Sequence, residues 1–94
     1  MQFHFDLRKA ASNLRKHGVT FEEAMTVFGD PFAQTFPDDS HSDQEERWIT
    51  LGVSSRQRLL FVSHLEEGDD VRIIGARDAE PFEQNEYEEH KTNF

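Results

Sequence analysis

The stretch RWITLGVSSRQRLLFVSHLEEGDDVRIIGAR, residues 47–77, decides the fold. Ile49, Leu51 and Val53 alternate with Trp48, Thr50 and Gly52, the period-two pattern of a strand with two unlike faces. Leu59-Leu60-Phe61-Val62 is a continuous apolar run, as expected of a central strand covered on both sides. Glu66-Glu67-Gly68-Asp69-Asp70 supplies a turn into Val71-Arg72-Ile73-Ile74-Gly75-Ala76-Arg77, so three strands form a meander.

Upstream the period changes. Gln2-Phe3-His4-Phe5 alternates like a short strand, and Asp6 stands where a helix N-cap is expected. Leu7, Ala10, Ala11 and Leu14 fall at helical spacing, which predicts an apolar stripe facing the core, and Gly18 ends that helix. Thr20 with Glu23 forms a capping-box pattern, and Phe21, Ala24, Met25 and Phe28 repeat the spacing until Gly29-Asp30-Pro31 breaks it. The two helices form a hairpin. Phe32 to Phe36 reads as a strand and residues 37–43 as a solvated loop. Ala79 to His90 reads as a weakly packed helix with Pro81 in its first turn and Phe82 and Tyr87 as anchors. The class is α+β: a short N-terminal strand, a helical hairpin, an antiparallel β-meander and a C-terminal helix, in one domain spanning 1–94.

Ninety-four residues suit one core, and nine Phe, one Trp and one Tyr supply large side chains for it. The absence of cysteine removes disulfides, thiolate metal sites and cysteine nucleophiles. With no apolar run long enough for a leader or a membrane span, a cytoplasmic protein is expected.

A net charge of −9 argues against non-specific nucleic-acid binding, but the distribution is uneven. Residues 1–20 carry Arg8, Lys9, Arg15 and Lys16 against Asp6, whereas 21–46 hold no Lys or Arg and eight acidic side chains. Arginine returns at 47, 56, 58, 72 and 77. A local basic face is therefore compatible with the negative total, and it could meet phosphate or an acidic protein.

Lys9, Lys16 and His17 cluster on the polar side of the first helix, where basic residues also complement the helix dipole. His41 with Asp38, Asp39 and Asp43 is read as a solvated turn, and no metal is assigned. Arg72 and His64 each interrupt an apolar strand, and a register exists in which they share a face. Guanidinium binds two phosphate oxygens and imidazole moves protons near neutral pH, so that pair could form a phosphate site. The alternative is pairing with carboxylates, for instance Arg72 or Arg77 with Glu86.

The order of blocks resembles a known family. Phe5-Asp6, Lys9, Asn13 and Lys16-His17-Gly18-Val19-Thr20-Phe21-Glu22-Glu23-Ala24 are similar to the opening of the BrnT family of type II toxins. Asp30-Pro31, Glu46-Arg47, Gly52, Arg58-Leu59-Leu60, Val62, His64, Glu66 and Arg72-Ile73-Ile74 through Ala76-Arg77 and Ala79 follow the family's later blocks in order. The resemblance implies a RelE-like fold and a ribonuclease toxin that inhibits translation by metal-free RNA cleavage, with no cofactor. It implies a BrnA-like ribbon-helix-helix antitoxin as partner, operator DNA bound only through that complex, and leaves a homodimer open. Catalytic roles would fall to His64, Arg72 and Arg77, and RNA contacts to Lys9, Lys16, His17, Arg58 and Tyr87. The family commonly has Trp at Phe5, Ser at Gly75 and a more basic C-terminal segment than Asp78 to Glu89. The alternative is a non-catalytic interaction module of the same fold, and a weaker one an acidic mimic of nucleic acid. An enzyme would show Arg72 and His64 exposed in one basic concavity, a module would show salt-bridged arginines and a hydrophobic partner groove, and a mimic would show no basic concavity.

Overall fold

The computed structural model describes residues 1–41 and 46–93. In chain order it contains β1 (Phe3–His4), α1 (Leu7–His17), α2 (Phe21–Met25), a 3₁₀ turn (Thr26–Gly29) and β2 (Gln34–Pro37). A 3₁₀ turn (Asp39–His41), β3 (Arg47–Val53), β4 (Leu59–Glu67), β5 (Asp70–Asp78) and α3 (Pro81–Thr92) follow. This is the expected α+β arrangement. Asp43, one member of the acidic loop around His41, lies outside the described residues.

The helix ends follow the capping residues. The Asp6 carboxylate accepts from the backbone N–H of Arg8 at 2.7 Å and of Lys9 at 3.2 Å. Gly18, at φ 68°, takes the left-handed conformation that closes α1, and its N–H donates to the Leu14 carbonyl. Thr20 Oγ1 accepts from Glu23 N at 3.0 Å to start α2. That helix is shorter than its apolar spacing suggested. Thr26 Oγ1 donates back to the Glu23 carbonyl at 2.6 Å, and the chain tightens into the 3₁₀ turn that carries Phe28.

The five strands lie in the order β1-β5-β4-β3-β2. The meander β3-β4-β5 is antiparallel, β2 adds antiparallel to β3, and β1 adds parallel to β5 at Phe3↔Val71 and His4↔Arg72. Leu60 and Val62 face the helical hairpin and pack with Val19, Phe21, Ala24, Val27, Val71, Ile73 and Ala76. Leu59 and Phe61 face the other way, toward Leu51, Ala79 and Tyr87 beneath α3. The apolar run 59–62 is thus covered on both sides, as its sequence implied.

Two features depart from the sequence pattern. The first is a bulge: Ser63 pairs with Gly75 but His64 pairs with Ile73, leaving Ile74 as an extra residue on β5. One extra residue inverts the facing of everything beyond it. Arg72, opposite Leu65, and Arg77, opposite Phe61, therefore share the α3 face despite their odd separation. His64 points to the helical face, so the expected register placing it beside Arg72 does not occur.

The second is the rotation of α1. Leu7 is 78% exposed and Leu14 48%, whereas Asn13 is buried at 8%. Of the stripe expected in the core, only Ala10 packs there; Leu7, Ala11 and Leu14 lie outside. Hydrogen bonds fix this rotation: Asn13 Nδ2 donates to the carbonyls of Val19 at 3.0 Å and Ala76 at 2.8 Å, and Oδ1 accepts from Ala76 N at 3.0 Å. Phe5, Ala10 and Phe21 fill the space beneath, leaving the leucines no core to enter.

Candidate nucleic-acid interface

Helical geometry places Lys9 and Lys16, seven residues apart, on one side of α1 with Ser12 between them. The Asn13 amide holds that side against the outer edge of β5, at the bulge. Lys9, Ser12, Asn13, Lys16, His17, Ile74 and Gly75 line a concavity of ≈ 340 Å³. Gly75 contributes only backbone there, which keeps the groove open. Among the described residues neither lysine pairs with a carboxylate. Arg15, Lys16 and His17 also occupy the last turn of α1, where positive charge complements the dipole. Two cations, an imidazole and a hydroxyl around accessible backbone can receive a phosphodiester.

The other residues singled out in the sequence are placed elsewhere. Arg72, 41% exposed, lies on the α3 face, and its Nε donates to Glu67 at 3.1 Å. Arg77 makes a bidentate pair with Glu83, at 2.9 and 3.0 Å, with Glu80 at 3.5 Å and its guanidinium 4.0 Å over the Phe61 ring. The carboxylate partners are thus Glu67, Glu80 and Glu83 rather than Glu86. Arg58 closes on Glu23, through Nε to Oε2 at 2.9 Å and through Nη2 to Oε1, and also reaches the Gly18 carbonyl at 3.2 Å. Together with Ser54 Oγ, which donates to Glu23 at 2.6 Å, it locks the start of β4 to the hairpin. That guanidinium holds the Glu23 carboxyl below the usual carboxylate range despite burial.

Tyr87 is buried, and its hydroxyl donates to Asp30 Oδ2 at 2.6 Å. Asp30 also accepts from the N–H of Phe32 and Val53, so one carboxylate ties α3 to the ends of the 3₁₀ turn and β3. Burial, then the Asp30 hydrogen bond, pushes the Tyr87 phenol up. Phe82, the other expected anchor of α3, is exposed; Ala79 and Glu83 are buried in its stead.

His64 is a core residue with 0% exposure, and the expectation of an exposed His64 beside Arg72 is corrected. Its Nε2 bonds Thr50 Oγ1 at 2.7 Å, Thr50 bonds Thr35 at 2.7 Å, and the Phe28 ring lies edge-on at 5.1 Å. Among the described residues Nδ1 has no hydrogen-bond partner, with Glu66 Oε1 3.6 Å away. Burial lowers its pKa to about 4, so the ring is neutral at neutral pH.

The sequence-predicted site is therefore divided. Lys9, Lys16 and His17 meet in one groove, Arg72 and Arg77 share the opposite face of the sheet, and Arg58, His64 and Tyr87 serve internal contacts. The sequence reading missed Ser12 and the backbone of Ile74 and Gly75. The i, i+3 spacing of Lys9 and Ser12 was available as a signal; the bulge had none.

Comparison with known proteins bears on the arrangement as a whole. The family model described as "Ribonuclease toxin, BrnT, of type II toxin-antitoxin system" matches residues 5–83. The chain belongs to the BrnT family. Its fold is similar to the crystal structure of the Brucella abortus ribonuclease toxin BrnT, with a TM-score of 0.67, 23% identity, and coverage of 85% of this chain and 97% of that one. No curated protein matches the chain. Most of α3 lies beyond the segment that the BrnT family model matches. Among the described residues no helix is long and apolar enough to cross a membrane.

Proposed function

We propose that this BrnT-family chain is an endoribonuclease toxin of the cytoplasm that binds RNA in the α1–β5 groove and inhibits translation. The observation that carries this reading is the convergence of Lys9, Lys16 and His17 in one groove, with neither lysine in a salt bridge among the described residues, on a chain of net charge −9. Cleavage without a metal proceeds by attack of a ribose 2′-oxygen on the adjacent phosphorus. The P–O2′ bond forms, the P–O5′ bond breaks, and a cyclic phosphate remains. A base takes the 2′-hydroxyl proton and an acid protonates the departing 5′-oxygen. With His64 buried, His17 is the imidazole placed for proton transfer, while Lys9 and Lys16 offset the charge that develops on the phosphoryl oxygens. A BrnA-like ribbon-helix-helix antitoxin neutralises the toxin, and the complex binds operator DNA.

The test is bacterial growth after induced expression of the wild-type chain, the Lys9→Ala/Lys16→Ala variant and Arg72→Ala, at matched soluble abundance. Arrest by the wild type and Arg72→Ala, with none by the lysine variant, supports the groove. Arrest that depends on Arg72 and not on the lysines moves the site to the α3 face.

A second reading has its own observation. Arg58 and Arg77 are closed by carboxylates and His64 is internal, as expected of a non-catalytic interaction module. Soluble, folded protein that binds the antitoxin yet arrests nothing would favour it. The acidic-mimic reading is disfavoured by the basic groove.

A further inference from the structure

Helix α1 is amphipathic the wrong way round for a helix that only completes a core. Its buried centre is the polar Asn13, while Leu7, Ala11 and Leu14 form a stripe along its solvent side. Of the four large hydrophobic residues exposed among those described, two are on this stripe, the others being Met1 and Phe82. The leucines stand two turns apart, about 10 Å along the axis. Each is followed by an arginine, so Arg8 and Arg15 make a basic row beside the stripe, and among the described residues neither is in a salt bridge, although the Arg8 charge acts on Asp6. Lys9 and Lys16, in the groove, lie on the far side of that row. The apolar stripe is thus a second surface of α1, separate from the groove.

We infer that Leu7, Ala11 and Leu14, flanked by Arg8 and Arg15, dock an amphipathic helix of the antitoxin that carries an apolar ridge with carboxylates beside it. This rests on the reading that an antitoxin neutralises the chain. Charge decides among occupants. A second copy meeting this face with its α1 antiparallel, by a two-fold axis across the helices, would bring the same arginine rows together, which disfavours that homodimer. RNA could satisfy the arginines but would leave both leucines against polar backbone. A helix with leucine-sized side chains at i and i+7 and Glu or Asp on one flank satisfies both halves of the surface.

The experiment uses the full chain and, as probe, the antitoxin encoded beside its gene, with the affinity of the purified pair measured by calorimetry. The variants are Leu7→Glu/Leu14→Gln, which removes the ridge, and Arg8→Glu/Arg15→Glu, which reverses the flank. Both sites are on the solvent side of α1, and thermal unfolding of each free variant serves as the folding control. The expected result is at least a tenfold loss of affinity in each variant, with the unfolding midpoint retained. In addition, Arg8→Glu/Arg15→Glu should recover binding to an antitoxin whose facing carboxylates are changed to Lys. Undiminished affinity in both folded variants overturns the assignment while leaving neutralisation intact. Absence of any wild-type complex overturns the neutralisation reading itself. Loss of RNA binding alone in Arg8→Glu/Arg15→Glu, or a wild-type dimer that Leu7→Glu/Leu14→Gln dissociates, assigns the face to RNA or to a second copy and also overturns the proposal.

Discussion

The carboxamide of Asn13 bonds both backbone groups of Ala76, accepting from its N–H at 3.0 Å and donating to its carbonyl at 2.8 Å. A neighbouring strand would normally do this. Here β1 pairs with β5 only at Val71 and Arg72, so a side chain from α1 replaces a strand at the remaining edge. The same contact sets the rotation of α1, and with it the lysine groove and the outward leucine stripe.

Replacing Asn13 should therefore be expensive. Asn13→Asp removes two donors and sets a carboxylate against the Val19 and Ala76 carbonyls, in a site only 8% exposed. A loss of about 2–4 kcal/mol in urea unfolding is expected, with Asn13→Ala intermediate. A loss under 1 kcal/mol for Asn13→Asp would show that α1 is held by its apolar contacts instead.

His64 makes stability depend on pH. Its pKa is 6.5 when unfolded and about 4 when folded, so the unfolded state binds more protons as pH falls through this window. Stability is full above about pH 6.5 and declines toward pH 4, by up to roughly 3 kcal/mol for this group. Thr50 and Phe28 face the ring without charge, and the Glu66 carboxylate at 3.6 Å reduces the loss by attracting the imidazolium. Urea unfolding of wild type and His64→Gln at pH 7.5 and 4.5 isolates the effect from other carboxylates. The wild type should lose more stability between the two; equal losses would show that His64 does not titrate in the window.

The meander, both N-caps, the Gly18 stop and the covered run at 59–62 were legible because each depends on residues close in sequence. What was not legible depends on distant partners. The bulge at Ile74 is a property of two strands together, and it turned Arg72 away from the face of His64 and aligned it with Arg77. The Leu7, Ala10, Ala11 and Leu14 stripe obeys helical periodicity, yet three hydrogen bonds of Asn13 decide which side faces inward, and only Ala10 reaches the core. The cationic groove was half legible: Lys9, Lys16 and His17 were visible as a cluster, but its other wall is β5 backbone. Tyr87 was legible as an anchor of α3, while its partner Asp30 stands 57 residues away.

Two strand glycines should respond in opposite ways. A Cβ on Gly52 would lie 3.1 Å from the Val27 carbonyl oxygen, 3.1 Å from Ala33 Cβ and 3.2 Å from Val27 Cβ, where the 3₁₀ turn crosses β3. Gly52→Ala should destabilise by about 1–3 kcal/mol, since backbone must shift to admit it. A Cβ on Gly75 meets nothing nearer than Ser63 Cβ at 3.9 Å and Asn13 Oδ1 at 4.0 Å. Gly75→Ser should be neutral or stabilising by about 0.5–1 kcal/mol. Thermal unfolding of both variants checks the contrast, and a destabilised Gly75→Ser would mean the bulge needs glycine.

The arrangement of charge predicts which cations RNA can feel. Among the described residues neither Lys9 nor Lys16 is held in a salt bridge, Asp6 acting on the Lys9 charge without closing on it, whereas Arg77 is neutralised by Glu83 in a bidentate pair. Each phosphate neutralised on a single strand contributes about 0.7 to the slope of log affinity against log salt. Lys9→Ala/Lys16→Ala should lower that slope by about 1.4 for a short single-stranded RNA, measured by fluorescence anisotropy across a salt series. Arg77→Gln with Glu83→Gln should leave it unchanged, because the pair presents no net charge and removing both partners strands neither in the interior. If the slope instead followed Arg77, then α3 must leave the sheet when RNA binds, exposing the arginine that Glu80 and Glu83 now hold.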